Sequence, residues 1–198
     1  MSRLTRPESQ ARTRDQLLET AEQLFLEHGF FATSLDRVAE AAGYSKGAVY
    51  SNFANKHELC LAVLDRIHAQ QVLALGREFG DASTVEEGLG ALERWAERHI
   101  GNRAWTVLEV EFGTVARHDE ALRAELAHRR RGVRDAIATL IETLAAAFGV
   151  RLRLGPEAAA NLVLGAGIGL GVQRAVDPEV PVAPLIDTVR LLIAERAE

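Results

Sequence analysis

Apolar residues in this chain recur every three or four positions almost without interruption, and no alternation of apolar and polar residues survives beyond a few positions. A period near 3.6 buries one face of a helix, whereas a period of two buries one face of a strand. The pattern therefore points to an all-α fold. Leu17, Leu18, Ala21, Leu24 and Phe25 form the first stripe, in a helix read from Ser9, and Gly29 stands where a helix end takes glycine. Ser34 is placed to cap a helix from Leu35 to Ala42, with Gly43 behind it for a left-handed turn residue. Ser45 is placed to cap a third helix, from Lys46 to about Phe53. Asn55, followed three residues later by Glu58, has the form of a capping box and opens a longer fourth helix through Leu59, Val63, Ile67 and Leu75. Past the loop GDASTVEEG, helices are expected at about 84–100, 103–117, 119–148, 157–175 and 183–196, about nine in all.

At 198 residues, with 47% hydrophobic and 26% charged residues, the chain can bury a sizeable core. Cys60 is the only cysteine and sits in the apolar run ELCLAVL, so it reads as a small buried hydrophobe with no disulfide or thiolate cluster to join. MSRLTRPESQARTRDQ is polar and lacks an apolar core, so no signal peptide is expected and the cytoplasm is the expected location. The net charge of -5 argues against a nonspecific nucleic-acid coat. Local charge runs the other way at the N-terminus, where Arg3, Arg6, Arg12 and Arg14 face Glu8 alone.

The stretch SLDRVAEAAGYSKGAVYSNFANKHE, residues 34–58, makes two short helices around the turn Ala42-Gly43-Tyr44-Ser45. Ala39 and Gly43 are small where the helices cross, and Val38, Val49 and Phe53 point inward toward Leu24 and Phe25. The first turn of the second helix is left bare. Lys46 there carries a donor for guanine O6 or N7, and Gly47 and Ala48 permit close approach to a major groove. Tyr50, Asn52 and Lys56 follow at positions able to reach the flanking sugar-phosphate backbone.

The pattern AxxAG-x-SKGAxYxxFxxKxxL within TSLDRVAEAAGYSKGAVYSNFANKHEL resembles the N-terminal domain of the TetR family of bacterial transcriptional regulators, over roughly residues 10–64. The resemblance implies a three-helix helix-turn-helix domain, 1–55, joined by a long helix to a helical ligand-binding and dimerisation domain, 56–198. It implies base contacts at Lys46, Gly47 and Ala48, and phosphate contacts at Thr33, Ser34, Tyr50, Asn52 and Lys56. Arg37 and Ser45 are counted with the same DNA-binding surface. Asn52 replaces a frequent histidine of the family, and Tyr44 replaces a more usual valine and is counted with the DNA-facing residues. Asp36 would repel phosphate unless a cation such as Arg37 pairs with it. The working form implied is a homodimeric repressor on a palindromic double-stranded DNA operator, released by a small-molecule effector. An activator, or an architectural DNA-binding protein without a ligand, would use the same residues.

Beyond residue 80 the residues themselves must speak. Trp95, His99, Trp105, Leu108, Glu109 and Phe112 read singly as helical core with solvated charges, and together as the lining of an apolar cavity for an apolar or aromatic effector. Glu109, Glu111 and His99 would be the acid-base groups of a helical enzyme, but no nucleophile or cofactor fingerprint accompanies them, and no enzyme and no cofactor is expected. His99, His118 and His128 form no i, i+4 pair, so no metal site is expected. Arg129, Arg130 and Arg131 spread round their helix as a solvated face. Ala158 to Val172 is apolar, but about 15 residues fall short of a bilayer span, and no membrane partner is expected. Gly165 and Gly169 share one face of that helix, Gly167 and Gly171 the opposite one, which predicts a thin helix packed from both sides. The resemblance assigns the last two helices to a four-helix bundle with a second copy, and Leu162, Gly165, Ile168, Gly169, Leu185, Val189, Leu192 and Ile193 to its seam.

Overall fold

The computed structural model describes residues 5–194. Among them the chain forms nine α-helices: α1 Arg6–Ala32, α2 Leu35–Ala41, α3 Lys46–Asn52, α4 Lys56–Glu78, α5 Val85–His99, α6 Arg103–Ala116, α7 Glu120–Phe148, α8 Pro156–Val176 and α9 Ala183–Leu192. The all-α expectation holds, with one small exception. Strands β1 Arg151–Leu152 and β2 Ile193–Ala194 pair antiparallel, Arg151 opposite Ala194 and Leu152 opposite Ile193. The last helix, expected to reach 196, therefore ends at Leu192, because Ile193 turns to extended backbone and joins that ladder. Positions 195 and 196 lie outside the described residues.

The first helix starts three residues before the expected Ser9. Thr5 and Glu8 cap it reciprocally, the Thr5 amide donating to Glu8 Oε2 at 2.7 Å, and Pro7 occupies the first turn, where a missing N–H costs nothing. The basic N-terminal segment is therefore helical from Arg6 onward, and Arg3 lies outside the described residues.

The chain divides into two compact units. The first comprises the described residues through Ile67 together with Val107–Leu126. Leu17, Ala21, Phe25, Val38, Val49, Phe53, Leu59 and Phe112 are buried in it, and α2 packs on both α1 and α3. Gly29, expected to close the first helix, instead kinks it at φ +80°, and helical backbone resumes as far as Ala32. The amide of Phe30 then donates to Glu111 Oε2 at 2.7 Å, and a Cβ on Gly29 would lie 2.9 Å from that same oxygen. The Phe30 ring sits 5.9 Å from Phe25, 5.4 Å from Phe112 and 5.8 Å from His57, centroid to centroid. Cys60 is fully buried here, and burial pushes its thiol far up, so it is an inert hydrophobe as its sequence context implies.

The second unit comprises His68–Thr106 and the described residues from Ala127 on. One cluster gathers Ala96, Ile100, Leu170, Val182 and Leu185, and another Leu89, Leu92 and Ile186. Trp95 packs against both. Thr84 and Glu87 form a capping box at the start of α5, one residue past the expected start of that helix at about 84. α8 runs for 21 residues, longer than the 15 of its apolar stretch, and is long and apolar enough by length and composition to cross a membrane. Its end is fastened by Arg174, which donates to the carbonyls of Ile100 (2.9 Å) and Val180 (2.6 Å) and pairs with Glu97 Oε2 at 2.8 Å.

The Arg174 side chain is only 11% exposed, and removing it strands two carbonyls. Arg174→Met keeps the stem and is expected to cost about 2 kcal/mol or more of unfolding free energy, measured by urea titration; a loss within error of zero would show the staple to be redundant.

Candidate nucleic-acid interface

Two serines build the reading platform. Ser34 Oγ accepts from the Arg37 amide at 3.2 Å and starts α2; Ser45 Oγ accepts from the Ala48 amide at 3.2 Å and starts α3. Between them Gly43, at φ +72°, lets its own amide reach the Glu40 carbonyl at 3.1 Å and that of Tyr44 reach Ala39 at 2.9 Å. Both N-caps and the glycine are where the sequence puts them.

The front of α3 exposes Lys46 and Gly47, leaves Ala48 half-buried and puts Tyr50 on the surface, 55% exposed. They belong to the first turn and a half of a helix whose Val49 is fully buried. Lys46 Nζ bonds Asp36 Oδ2, which holds the ammonium above the usual lysine range, first through the hydrogen bond and then through the charge. The cation that answers Asp36 is thus Lys46. Arg37 instead lies 2.8 Å from His28 Nε2, with its side chain exposed.

Other expected contact residues are committed inward. Thr33 is 2% exposed, and its hydroxyl lies 2.9 Å from the Gly29 carbonyl and 3.2 Å from that of Leu24. Asn52 turns its side-chain amide back to the Ala48 carbonyl at 2.8 Å. Lys56 lies 4.1 Å over the Phe30 ring, and burial there holds its ammonium below the usual lysine range. Tyr44 is half-buried, with its hydroxyl donating to Gln16 Oε1. Arg14, read from sequence as part of a solvated basic segment, lies 4.1 Å over the Phe53 ring and bonds the Asn52 carbonyl at the end of α3. Nothing local in the sequence marks this role, since the partners are 38 and 39 positions away.

The residues expected to line an effector cavity are divided between the units. Leu108 and Phe112, each 0% exposed, belong to the core of the first, and Glu109 is half-buried on the same stretch of α6. Trp95, His99 and Trp105 belong to the second. His99 stacks on Trp95 at 5.3 Å and its Nδ1 lies 2.8 Å from the Trp95 carbonyl. Trp95 Nε1, Trp105 Nε1 and Gln71 Oε1, all buried, have no hydrogen-bond partner among the described residues. Gln71 was not singled out by sequence, where it is one polar residue among many on α4.

The seam residues divide as well. Leu162, Gly165, Ile168 and Gly169 are exposed along α8, and a Cβ on Gly165, Gly167 or Gly169 would meet nothing within 4 Å. Only Gly171 is approached, by Thr106 Oγ1 at 3.9 Å and the Gly101 amide at 4.0 Å, so within one copy the expected packing on both glycine faces is present on one. Leu185 and Leu192 are buried within the second unit, and Val189 and Ile193 are half-buried there.

Two family models match the chain. One, bacterial regulatory proteins of the tetR family, covers residues 17–63; the other, BetI-type transcriptional repressor, C-terminal, covers residues 85–197. The HTH-type transcriptional regulator TtgR of Pseudomonas putida is 46% identical over 68 residues, 34% of this chain and 32% of TtgR. The chain thus matches about a third of the length of that relative. The reduced form of E. coli NemR superposes with a TM-score of 0.69 at 22% identity, covering 94% of this chain and 100% of NemR. SmeT, in complex with triclosan, superposes with a TM-score of 0.65 at 23% identity, covering 93% of each chain. At these identities the structures establish the fold.

Because the Thr33 hydroxyl is satisfied only from inside, Thr33→Val is expected to lower the stability of the first unit by about 1–2 kcal/mol, read by thermal unfolding. An unchanged Tm would mean that the hydroxyl is free to serve outside the fold.

Proposed function

The chain belongs to the TetR family of bacterial regulatory proteins, and from that premise we propose that this transcriptional regulator is a repressor that grips a palindromic operator as a homodimer and leaves it when a small effector binds. The observation that carries the DNA half of this reading is the bare front of α3. Lys46, Gly47, Ala48 and Tyr50 stand together over a fully buried Val49, on a platform fixed by two N-caps. Lys46 donates to a base edge once it exchanges Asp36 for DNA, and Ser34, Arg37, Ser45 and Tyr50 flank it toward the phosphates. Asn52, Lys56, Thr33 and Tyr44 serve that surface from within, by holding α3 and the α1 corner in place.

A second copy supplies the symmetry that a palindrome needs. Leu162, Gly165, Gly169, Val172 and Val176 are exposed on α8 at successive spacings of three, four, three and four, which makes one continuous small and apolar seam. The description of the C-terminal family model as a repressor supports the direction of regulation. For the effector, either of the buried indole N–H groups of Trp95 and Trp105, which lack a partner among the described residues, favours an aromatic molecule with a hydrogen-bond acceptor. SmeT, which shares the fold, binds triclosan. α4, whose residues belong to both units, is the covalent route by which effector binding reaches α3, and the coupling equals the effector's difference in affinity for the two states.

With an operator selected from genomic fragments by the purified protein, fluorescence anisotropy is expected to give tight binding that weakens steeply with salt. Lys46→Ala and Tyr50→Ala should each raise Kd about tenfold or more. Binding of both variants equal to wild type would exclude α3 as the reader. Gly169→Leu adds a side chain where the single copy has open space, so it should fold and yet run as a monomer in light scattering; an intact dimer would move the seam elsewhere.

A further inference from the structure

Asp36 stands in the first turn of α2 and Lys46 is the first residue of α3, and the bond between them sets a carboxylate against the bare front of the reading helix. Phosphates on either side of a groove repel that charge. Resting on the reading of α3 as the helix that meets bases, we propose that Asp36 is a specificity residue: its carboxylate accepts a hydrogen bond from the amino group of a cytosine, N4, in the major groove beside the base that Lys46 takes.

Neither stability nor a general attraction to DNA accounts for an acid at this place. The Lys46 and Asp36 side chains are 68% and 50% exposed, and water screens such a pair to little net worth. Over residues 34–52 the cations Arg37 and Lys46 are matched by the carboxylates of Asp36 and Glu40. A surface so balanced gains little from releasing the counterions of DNA, so base edges supply more of its binding.

The chemistry of the freed acid sets the class of base. When Lys46 turns to guanine O6 or N7 it gives up Asp36, and Arg37 is not there to replace it, since its guanidinium lies 2.8 Å from His28 Nε2. A carboxylate left at the interface only accepts, so it needs a donor. Phosphates offer none. In the major groove guanine presents N7 and O6 and thymine presents O4, all acceptors, which leaves the amino groups of cytosine and adenine. Adenine sets its amino group next to the acceptor N7, which repels a carboxylate, whereas cytosine offers N4 with no acceptor of its own beside it. A G·C pair presents guanine O6 and cytosine N4 next to each other, the complement of an ammonium and a carboxylate that already lie in contact.

The test uses the full chain and the operator it selects, in fluorescence anisotropy with each base of one half-site replaced in turn. In the wild type, replacing one particular cytosine is expected to raise Kd about tenfold; in Asp36→Ala the same replacement is expected to cost less than about twofold. N4-methylcytosine at that position still pairs with guanine but loses the hydrogen that faces the groove, so it should weaken the wild type about tenfold and leave Asp36→Ala unchanged. Lys46→Ala separates reading from positioning: it should erase a guanine preference and keep the response to N4-methylcytosine. Should Asp36→Ala fail to fold, Asp36→Asn has the same shape, and it is expected to move the preference from cytosine toward adenine, whose N6 and N7 suit an amide. Retention of every wild-type base preference in Asp36→Ala, an unchanged ratio of cytosine to adenine in Asp36→Asn, or wild-type tolerance of N4-methylcytosine would overturn the role of Asp36 alone, with operator binding intact. Loss of the response to N4-methylcytosine in Lys46→Ala would also overturn it, by showing that Asp36 acts only through Lys46. Absence of any operator-specific binding by the wild type would instead remove α3 as the reader, and Asp36 with it.

Discussion

The carboxylate of Glu111, seated over Gly29 and accepting the Phe30 amide, closes the corner from which the rest of the first unit is hung. A helix kinked at Gly29 with φ +80° loses its i→i−4 partner at the next amide, and a part-buried amide without an acceptor is costly. Glu111 supplies that acceptor from 81 positions away, and its neighbour Phe112 fills the space beside the Phe30 ring. Once the corner is set, the Thr33 hydroxyl reaches back to the Gly29 carbonyl and Ser34 falls where it can cap α2. Lys56 is drawn over Phe30, close enough to feel the Glu111 charge, and so becomes part of the corner.

On that corner stand two helices of seven residues each, shorter than the roughly 12–15 that hold together alone in water. They persist because serine caps serve their first amides and Val38, Val49 and Phe53 are buried beneath them. Arg14 closes the other end of α3 by bonding the Asn52 carbonyl, where a cation also complements the helix dipole. The outward face of α3 is therefore presented on a rigid mount. The Lys46–Asp36 pair on that face is exposed on both sides, so water screens it and it orients Lys46 more than it holds it.

What the sequence made legible was local. The caps at Ser34 and Ser45, the left-handed Gly43 and the helical periods all depend on residues within a few positions of one another, and each is found where its pattern puts it. Equally local was the Thr5–Glu8 box, whose signal of Thr followed three residues later by Glu was there to be read, and which moved the start of α1 forward. What escaped was the choice a polar side chain makes between inside and outside. Lys56, Asn52 and Thr33 have the right types for phosphate contact, yet each is taken up by a partner inside the fold.

The glycines of α8 bring the energetic question to a point. Each glycine in a helix interior costs about 1 kcal/mol against alanine, and within one copy only Gly171 recovers contact for that cost. Gly165, Gly167 and Gly169 meet nothing, while Leu162, Ile168 and Val172 beside them are each more than 40% exposed. Small residues lower the surface between large apolar ones only to some purpose, and close approach of another backbone is that purpose. Lipid would cover the same face, but the helix ends at an Arg174 whose guanidinium is spent on two carbonyls and Glu97, and insertion would have to break all three bonds. A second copy asks for no such rupture. In the proposed homodimer, the face that a single chain leaves costly and bare is the face on which a symmetric partner offsets the glycines.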